Sequence, residues 1–536
     1  MSFESERGRY SAGNSAPRMA AGWQLQRLTR PSRLYGANGI RTGADGRIYV
    51  AQVSGSQISA IDVNSGDIEI VCPMGGNIIG PDDLVFDDQG NLFVTEFTEG
   101  RVSVREANGK TRVVNGNMPS ANPITVHNGR LFAGECRADG RLMELDLSSG
   151  EPRIILDNVP MPNAMAVGPD GKLYVPIMAA NEIWRVDLET GAHEVVAKDL
   201  GVPDSVKFDS QGFIVSTQVA TGDVLRINPT TGEKTVLATI APGLDNCTFV
   251  GERLFVSSIS GQINEILPGG ELRSLIHDGL QWPLGLAMGD DGVLFVADGG
   301  YSYSLIPGAE PQCIGMLFTP GCPGYIRGVA ADGPGQYLVT TAMGHIARWR
   351  PAEQKSEVLA EGFDRLYGLV KVDADTVIAV ECGAGKVVAI KSGKTQVLAS
   401  ELSEPMGVAL TTDGTCLVSE EGGGRIVKIT ARGVETVVDD LLQPQGILVI
   451  DEKLYIVNTG AKELLQVDLK TNQRTVIATD LPIGPPAGVV PKFLRGVPPL
   501  SGPMGLFADI TAGADGTLYV SGDAEGSVLA IKPAVV

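Results

Sequence analysis

The chain has 536 residues, of which 43% are hydrophobic, so it can bury a large core and is expected to form more than one domain. Its formal net charge of −20 and its isoelectric point near 4.7 would repel phosphate backbones and anionic lipids. We therefore expect no nucleic acid and no membrane surface among its partners.

The N-terminal segment carries no signal for secretion or membrane insertion. No apolar run approaches the roughly 20 residues that cross a bilayer, and residues 1–22 mix charged and small polar side chains. The seven cysteines are scattered and include no CxxC pair, so we expect them to be reduced and mostly buried. The sequence thus predicts a flexible N-terminal tail over residues 1–22 and a cytoplasmic location.

One unit of about forty residues recurs twelve times along the chain. Its core is an apolar strand, a turn that ends in glycine and a second apolar strand, as in "NGIRTGADGRIYVAQ" near the start and "ADITAGADGTLYVSG" near the end. Two further alternating segments follow each core, which makes four short antiparallel strands per unit. Such units are typical of propeller blades. The sequence therefore predicts an all-β fold with twelve four-stranded blades.

Twelve blades exceed the usual ring of about 4–8, so we expect two tandem six-bladed β-propellers, over residues 23–270 and 271–536. The last unit contains only three strands, and a segment from elsewhere must complete it. We expect Trp23–Arg30 to close the first ring and Glu271–His277 to close the second, because each ring then pairs an otherwise exposed edge.

The residue eight positions before the turn glycine begins the first strand, which lines the central channel of a propeller. Six such residues would encircle one mouth of each channel. In the first half all six are carboxylates or carboxamides: Asn38, Asp82, Asn122, Asn163, Asp204 and Asp245. In the second half the equivalent residues share no chemistry: Leu284, Arg327, Tyr367, Met406, Gln445 and Ala508. An Asx turn explains one such residue, whereas six in one ring indicate a functional site in the first propeller.

A second circle is expected about six positions after the glycine, across the antiparallel ladder from the first. In the first half it comprises Gln52, Glu96, Glu135, Ile177, Gln218 and Ser258. We interpret Glu96 and Glu135 as candidate catalytic carboxylates, and Gln52 and Gln218 as candidate substrate contacts. In the second half, Asp298, Glu381 and Glu420 occupy the equivalent positions, and we expect them to pair with Arg327. Arg327→Ala would then mainly lower stability.

Three aspartates that converge on a channel would repel one another unless a cation lay among them. Oxygen ligands without histidine suit Ca²⁺, Mg²⁺ or Mn²⁺ better than Zn²⁺, and Ca²⁺ is favoured. Asn163 is interpreted as a neutral oxygen ligand that leaves the ion enough charge to polarise a substrate oxygen. The candidate ligands are Asn163, Asp204, Asn38, Asp82 and Asp245. Asp204 is the first candidate base, with Asp82 and Asp245 as alternatives, and Asn122 and Asn38 are candidate substrate contacts.

The starts of two consecutive blades, "MPNAMAVGPDGKLYV" and "VPDSVKFDSQGFIVS", resemble the paired Pro-Asn-Gly and Pro-Asp-Gly blade starts of the senescence-marker-protein/gluconolactonase family of six-bladed propellers. The resemblance covers the first half of the chain. It implies one divalent ion, held by a glutamate of the first blade, an asparagine and an aspartate, and it implies hydrolysis of sugar lactones.

Carried over position by position, the resemblance makes Asn163 and Asp204 ligands and Asn122 the substrate contact. The family's glutamate falls on Asn38, and the motif glycines are replaced by Ala164 and Ser205. The ion would then recruit another carboxylate of the first propeller: Asp82, Asp245 or Glu96.

These observations predict a metal-dependent hydrolase, a lactonase that acts on a small cyclic ester, in which the ion polarises the carbonyl and a ring carboxylate activates water. The second half resembles a diverged propeller of the same superfamily, and its blades are also similar to those of virginiamycin B lyase and strictosidine synthase. A metal-dependent lyase or isomerase is therefore an alternative. A non-catalytic binding or scaffold protein is another, marked by an apolar patch on the Pro-rich insertions 307–324 and 481–503.

Overall fold

The structure is a computed structural model that describes residues 3, 6, 8–9, 16–498 and 500–534. The alternation of apolar and polar residues produces 49 β-strands in this part of the chain, and no α-helix is found there. Its two helical segments are short 3₁₀ turns, Met178–Ala180 and Pro351–Glu353. Neither has the length or the apolarity needed to cross a bilayer, and no other helix occurs among the described residues.

Two short strands open the chain, β1 (Arg18–Met19) and β2 (Trp23–Arg27), and four-stranded antiparallel blades follow. Blades 1 to 3 comprise β3 (Ile40–Thr42), β4 (Ile48–Gln52), β5 (Gln57–Ile61), β6 (Ile68–Cys72), β7 (Pro81–Phe86), β8 (Leu92–Glu96), β9 (Arg101–Arg105), β10 (Thr111–Asn115), β11 (Ala121–His127), β12 (Arg130–Glu135), β13 (Gly140–Leu145) and β14 (Pro152–Val159). Blades 4 to 6 comprise β15 (Ala166–Val167), β16 (Leu173–Ile177), β17 (Glu182–Val186), β18 (His193–Ala197), β19 (Pro203–Phe208), β20 (Ile214–Gln218), β21 (Asp223–Ile227), β22 (Lys234–Thr239), β23 (Leu244–Val250), β24 (Arg253–Ser258), β25 (Ile263–Ile266) and β26 (Leu272–Ile276).

The second half repeats this plan. Blades 7 to 9 comprise β27 (Pro283–Met288), β28 (Leu294–Asp298), β29 (Tyr301–Leu305), β30 (Gln312–Met316), β31 (Ile326–Ala331), β32 (Tyr337–Thr341), β33 (Ile346–Arg350), β34 (Lys355–Ala360), β35 (Leu366–Lys371), β36 (Thr376–Glu381), β37 (Lys386–Lys391) and β38 (Lys394–Ala399). Blades 10 to 12 comprise β39 (Pro405–Leu410), β40 (Cys416–Glu420), β41 (Arg425–Thr430), β42 (Gly433–Val438), β43 (Pro444–Ile450), β44 (Lys453–Asn458), β45 (Glu463–Asp468), β46 (Arg474–Thr479), β47 (Ile510–Ala512), β48 (Leu518–Gly522) and β49 (Ser527–Pro533), with β2 as the fourth strand of blade 12.

The first strand of each blade is the inner strand of a ring. It packs against the inner strands of the neighbouring blades, and each circle closes because β23 contacts β3 and β47 contacts β27. The apolar core lies between adjacent blades, as where Tyr174 and Ile183 of blade 4 pack on Val206 and Ile214 of blade 5. The chain therefore forms two tandem six-bladed β-propellers, as the repeats predict.

The two strands that close the rings are exchanged relative to the prediction. β2 pairs with β49 and completes blade 12 of the second propeller, whereas β26 pairs with β25 and completes blade 6 of the first. The expected closures by Trp23–Arg30 and Glu271–His277 are therefore wrong. The local hairpin between β25 and β26 requires only a short turn, which leaves the N-terminal strand for the last blade.

Contacts divide the chain into two compact units whose limits differ from the predicted ones. The unit that carries the first propeller contains residues 34–278 and 489–497, and the other contains residues 1–33, 279–488 and 498–536. The described part of the N-terminal segment is not a flexible tail. β1 pairs with β46, and the guanidinium of Arg9 donates hydrogen bonds to the carbonyls of Asp523, Ala524 and Gln281. The other residues of that segment lie outside the described part.

Close approach of the inner strands governs which residues follow the ring positions. In the second propeller five of these residues are glycines: Gly285, Gly328, Gly368, Gly407 and Gly446. A Cβ on any of them would lie only 2.2 to 2.8 Å from a backbone carbonyl oxygen of the next blade. The second ring is therefore packed backbone against backbone around its channel. Five of the seven cysteines are buried, which confirms the expectation that most of the cysteines are buried.

Buried polar side chains of the second circle fasten the loop that precedes each inner strand. Asp298 accepts hydrogen bonds from the backbone N–H groups of Gln281 and Trp282, at 2.9 and 2.5 Å. Glu381 and Glu420 accept in the same way from Asp364 and Ser403. These carboxylates therefore serve the fold of their own blades.

We predict that Leu25→Asp loosens blade 12. Leu25 packs on the hydrophobic cluster that contains Leu529 and Ile531, and a carboxylate there would lose its hydration. Amide hydrogen exchange in β48 and β49 should accelerate roughly tenfold or more, with β24 and β25 unchanged. Gln24→Ala, at the exposed neighbouring position, is the control. Acceleration in blade 6 instead would support the opposite closure.

We also predict that Asp298 makes stability depend on pH. Burial raises the pKa of Asp298 to about 7, although its two backbone hydrogen bonds oppose the rise. The folded protein therefore keeps a proton that the unfolded chain releases above about pH 4, so this stabilisation is present below pH 4 and is lost as the pH rises to about 7.

Denaturant unfolding of wild type and Asp298→Asn between about pH 4 and pH 8 checks this. The stability of the wild type relative to the variant should fall by up to about 1.4 kcal/mol per pH unit, since the amide does not titrate. Parallel pH profiles of the two proteins would contradict the prediction.

Candidate functional site

The six predicted polar residues lie at the inner strands of the first propeller. Four belong to those strands, whereas Asn38 and Asn163 precede their strands by two and three residues, because each blade begins its inner strand at the channel mouth. All are buried except Asp82, which is partly exposed. The structure therefore brings residues of six blades together into one ring: Asn38, Asp82, Asn122, Asn163, Asp204 and Asp245.

The three amides of the ring each donate a hydrogen bond to one of its three carboxylates. Asn122 donates to Asp82 at 2.8 Å, and Asn163 donates to Asp204 at 2.9 Å. Asn38 donates to Asp245 at 3.2 Å. Asn122 also donates to Oδ1 of Asn163, which joins four blades in one hydrogen-bonded chain. Two of the carboxylates, Asp204 and Asp245, belong to adjacent blades, and the amide pair Asn122 and Asn163 separates Asp204 from Asp82.

Burial and mutual repulsion make these carboxylates hard to ionise. Burial and the charge of Asp83 raise the pKa of Asp82 to about 7. Burial, followed by the charges of its carboxylate neighbours, raises the pKa of Asp204 and of Asp245 well above the ordinary value of an aspartate. An ion or a proton inside the ring would therefore be bound favourably.

The ring has more acceptor capacity than its donors use. A carboxylate offers about four acceptor sites. Among the described residues, each ring aspartate accepts one hydrogen bond, and the buried Oδ1 of Asn122 accepts none. No group of three or more Asp, Glu, His or Cys side chains within the described residues could hold a metal by itself. A hard cation therefore fits this site only with amide oxygens among its ligands.

Asn163, the predicted neutral ligand, is held firmly in the ring. Its Oδ1 accepts from the backbone N–H of Ala164 at 2.8 Å, and its Nδ2 donates both to Asp204 and to the sulfur of Met178. The side chain thereby links blades 3, 4 and 5 at the mouth.

A second polar layer lies deeper in the same channel, and the sequence analysis missed it. The ammonium group of buried Lys207 donates to Asn246 at 3.1 Å, and Asn246 donates to Asp83 at 3.5 Å. Arg41 approaches Asp83 at 3.4 Å. Burial, then the charge of Arg41, lowers the pKa of Lys207 to about 8. The layer places positive charge beneath the acidic ring.

Arg41 and Lys207 each follow a ring residue by three positions, which is a signal that the sequence contains. Simple strand alternation assigns position three to the opposite face. The ladder of blade 5 shifts register between Pro203 and Val206, and this irregularity returns Lys207 to the channel side.

The candidate residues of the second circle have other partners. Gln52, Glu96 and Gln218 each accept a hydrogen bond from a backbone N–H seventeen residues earlier, on Tyr35, Ile79 and Gly201 respectively. Glu135 pairs with Arg137 and Arg141, and Glu96 also pairs with Arg101. These contacts favour a structural role, and the catalytic and substrate roles expected for Gln52, Glu96, Glu135 and Gln218 stay predictions.

The expected pairing of Arg327 in the second propeller is wrong. Its guanidinium donates to the carbonyl of Leu366 at 3.0 Å and lies over the ring of Tyr367. Asp298, Glu381 and Glu420 instead bind backbone N–H groups, and Glu420 also binds Arg425.

The fold and the ring define a tandem propeller with one polar channel mouth. Residues 36–260 match the model of the SMP-30/gluconolactonase/LRE-like region, which confirms the resemblance of the first propeller to that family. At the level of the family, this match relates the first propeller to lactonase-like hydrolases. The match ends before the second propeller.

Similar solved structures include propellers of different function. A streptogramin B lyase is 19% identical, covering 52% of this chain and 95% of its own, with a TM-score of 0.39. A virginiamycin B lyase from Staphylococcus aureus is 18% identical, covering 52% and 96%, with a TM-score of 0.37. A gluconolactonase from Xanthomonas campestris is 17% identical, covering 46% and 93%, with a TM-score of 0.38. No curated protein sequence matches the chain.

We predict that Glu96 stabilises blade 2. Glu96→Ala would leave the N–H of Ile79 without its acceptor and would remove the carboxylate that pairs with Arg101, and it should lower the free energy of unfolding by about 2–4 kcal/mol. Glu96→Gln keeps an acceptor for Ile79 and should cost less. Denaturant unfolding measures both changes. A fully stable Glu96→Gln that no longer binds divalent cations would show instead that Glu96 belongs to the site.

Proposed function

We propose that the first propeller is a metal-dependent hydrolase, a lactonase that acts on a small cyclic ester at the ring of Asn and Asp side chains. The observation that carries the proposal is the shortage of hydrogen-bond donors in this ring. Its three carboxylates accept one amide hydrogen bond each, and the buried Oδ1 of Asn122 accepts none. The family match supports lactonase-like chemistry for the same propeller.

The donor set fits a divalent cation with a preference for oxygen, and Ca²⁺ is favoured over Mg²⁺, Mn²⁺ and Zn²⁺. Asp204 and Asp245 would hold it together with amide oxygens of Asn163 and Asn38, and Asp82 is a further candidate ligand. When bound, such an ion supplies the positive charge that polarises a carbonyl oxygen. Lys207 and Arg41 lie deeper in the channel, so these two side chains do not block the approach of a substrate to the ring at the mouth.

Asp82 suits the role of general base better than the other ring carboxylates. It is the ring aspartate that is partly exposed, so water can reach it, whereas Asp204 and Asp245 are buried. The amide of Asn122 fixes the Asp82 carboxylate from one side and leaves it oxygen atoms that can accept a proton. Asp204, the first candidate base from the sequence, then serves as a ligand, and Asn122 contacts both substrate and base.

Other parts of the expectation stay predictions: a cytoplasmic location, a small-molecule substrate, and no nucleic acid or membrane partner. The lyase and isomerase alternatives use the same ring, and the product distinguishes them. Lactone hydrolysis adds one water to the substrate, whereas a lyase or isomerase does not.

We predict that Asp204→Asn and Asn163→Ala each abolish calorimetric Ca²⁺ binding and lower lactone turnover by roughly a hundredfold or more. The stability of Asp204→Asn should change little, because it removes a charge from a crowded acidic ring, whereas Asn163→Ala also removes hydrogen-bond partners of Asn122, Ala164 and Asp204 and should cost about 1–3 kcal/mol. Met406→Leu, at the equivalent ring position of the second propeller, is the matched control and should keep both activities. Wild-type protein that neither binds a divalent ion nor responds to a chelator would refute the proposal.

A further inference from the structure

The second propeller carries one charged side chain in its own ring. Arg327 is the second residue of the inner strand of blade 8, and 1% of its surface is exposed. The other ring residues are neutral: Leu284, Tyr367, Met406, Gln445 and Ala508. This arginine is therefore a buried charge at a channel mouth whose other five side chains carry none.

The contacts of Arg327 leave its charge uncompensated. Nη1 donates to the carbonyl of Leu366 at 3.0 Å, and Cζ lies 4.7 Å from the ring centroid of Tyr367. Within the described residues, Nη2 has no hydrogen-bond acceptor and no carboxylate lies within ion-pair distance of the guanidinium. The carboxylates of the second circle are used by the loops of their own blades.

The guanidinium of Arg327 cannot neutralise its charge by losing a proton. Burial lowers the pKa of Arg327, but arginine stays charged at every pH at which proteins fold. Buried charge without a partner is strongly unfavourable, so a structure that retains it is expected to receive an anion. The charges of Arg365 and Asp364 act on Arg327, but these two groups lie 3.6 Å from each other and together add no net negative charge.

The surroundings suit a small molecule with one charged group. Tyr367 is buried and packs against Phe507, with ring centroids 5.5 Å apart, which gives the mouth an aromatic wall. Gln445 accepts from Ala508 at 2.7 Å and turns its amide N–H group toward Glu421.

Glu421 is the acid that faces this mouth, and its charge is disfavoured there. Burial and the charge of Glu404 raise the pKa of Glu421 to about 7. Near neutral pH this side chain is therefore partly protonated, and its repulsion of an anion is reduced.

We propose that Arg327, backed by Tyr367, binds the oxyanion of a small molecule, a carboxylate or a phosphate, at the mouth of the second propeller. Arginine binds both groups by charge-assisted hydrogen bonds, and the aromatic wall accepts an apolar body next to the charged group. The site is separate from the proposed hydrolase ring and does not depend on its activity.

Thermal unfolding of the full-length protein tests the site. Sodium phosphate and sodium benzoate are titrated separately, with sodium chloride holding the ionic strength constant. The Tm of the wild type should rise by roughly 5 °C at saturation with at least one of the two anions. A response to phosphate alone identifies a phosphate site, and a response to benzoate alone identifies a carboxylate site.

Two variants make the test specific. Arg327→Met keeps the length of the side chain without the charge and should lose the response, whereas Arg350→Met, on the outer side of blade 8, should keep it. In chloride alone Arg327→Met should be at least as stable as the wild type, because it removes an uncompensated charge. A wild type without any anion response, an equal response in Arg327→Met, or a marked loss of stability in that variant would overturn the proposal.

Discussion

The inner strands of each propeller approach one another around the channel so closely that backbone meets backbone. The N–H of Gly39 donates to the carbonyl of Asp82 in the next blade, and that of Gly446 donates to the carbonyl of Ala508. A Cβ on Gly328 would lie 2.3 Å from the carbonyl oxygen of Tyr367. This spacing is the constraint on which the rest of the molecule depends, because it determines which side chains must share the channel mouth.

In the first propeller the constraint gathers polar groups that are about forty residues apart in the chain. Asp82, Asn122, Asn163 and Asp204 come within hydrogen-bonding distance only because their strands converge. The same convergence removes water from the carboxylates, which raises their pKa values and creates a demand for a cation or a proton. The chemistry of the ring is thus a consequence of how tightly the blades pack.

The second propeller has the same close packing of inner strands but different side chains at its channel mouth. Gly328, Gly368 and Gly407 let its inner strands pack tightly, and its mouth has an aromatic and aliphatic lining. Into this setting the fold places Arg327, whose possible carboxylate partners are held by their own loops. One propeller therefore concentrates negative charge and the other buries a single positive charge, although both follow the same strand plan.

Features that are local or periodic can be read from the sequence alone. The spacing of the turn glycines indicates the blades, strand alternation indicates the ring from Asn38 to Asp245, and the blade starts at Asn163 and Asp204 indicate the family. These features follow from short-range geometry, and the same pattern recurs in every repeat. Six or twelve copies of one pattern therefore support the same structural prediction.

Which strand closes which ring depends on tertiary packing, because β2 and β26 have similar patterns. β26 pairs with its neighbour β25, whereas β2 pairs with β49 at the other end of the chain. The tertiary structure also decided the roles of individual polar side chains. Glu96 stabilises a loop of blade 2, because it accepts a hydrogen bond from the N–H of Ile79. Lys207 points into the channel because the register of the strand pair shifts just before it. Hydrogen-bond partners and strand irregularities depend on distances between strands and loops in space, and a pattern along one chain does not contain those distances.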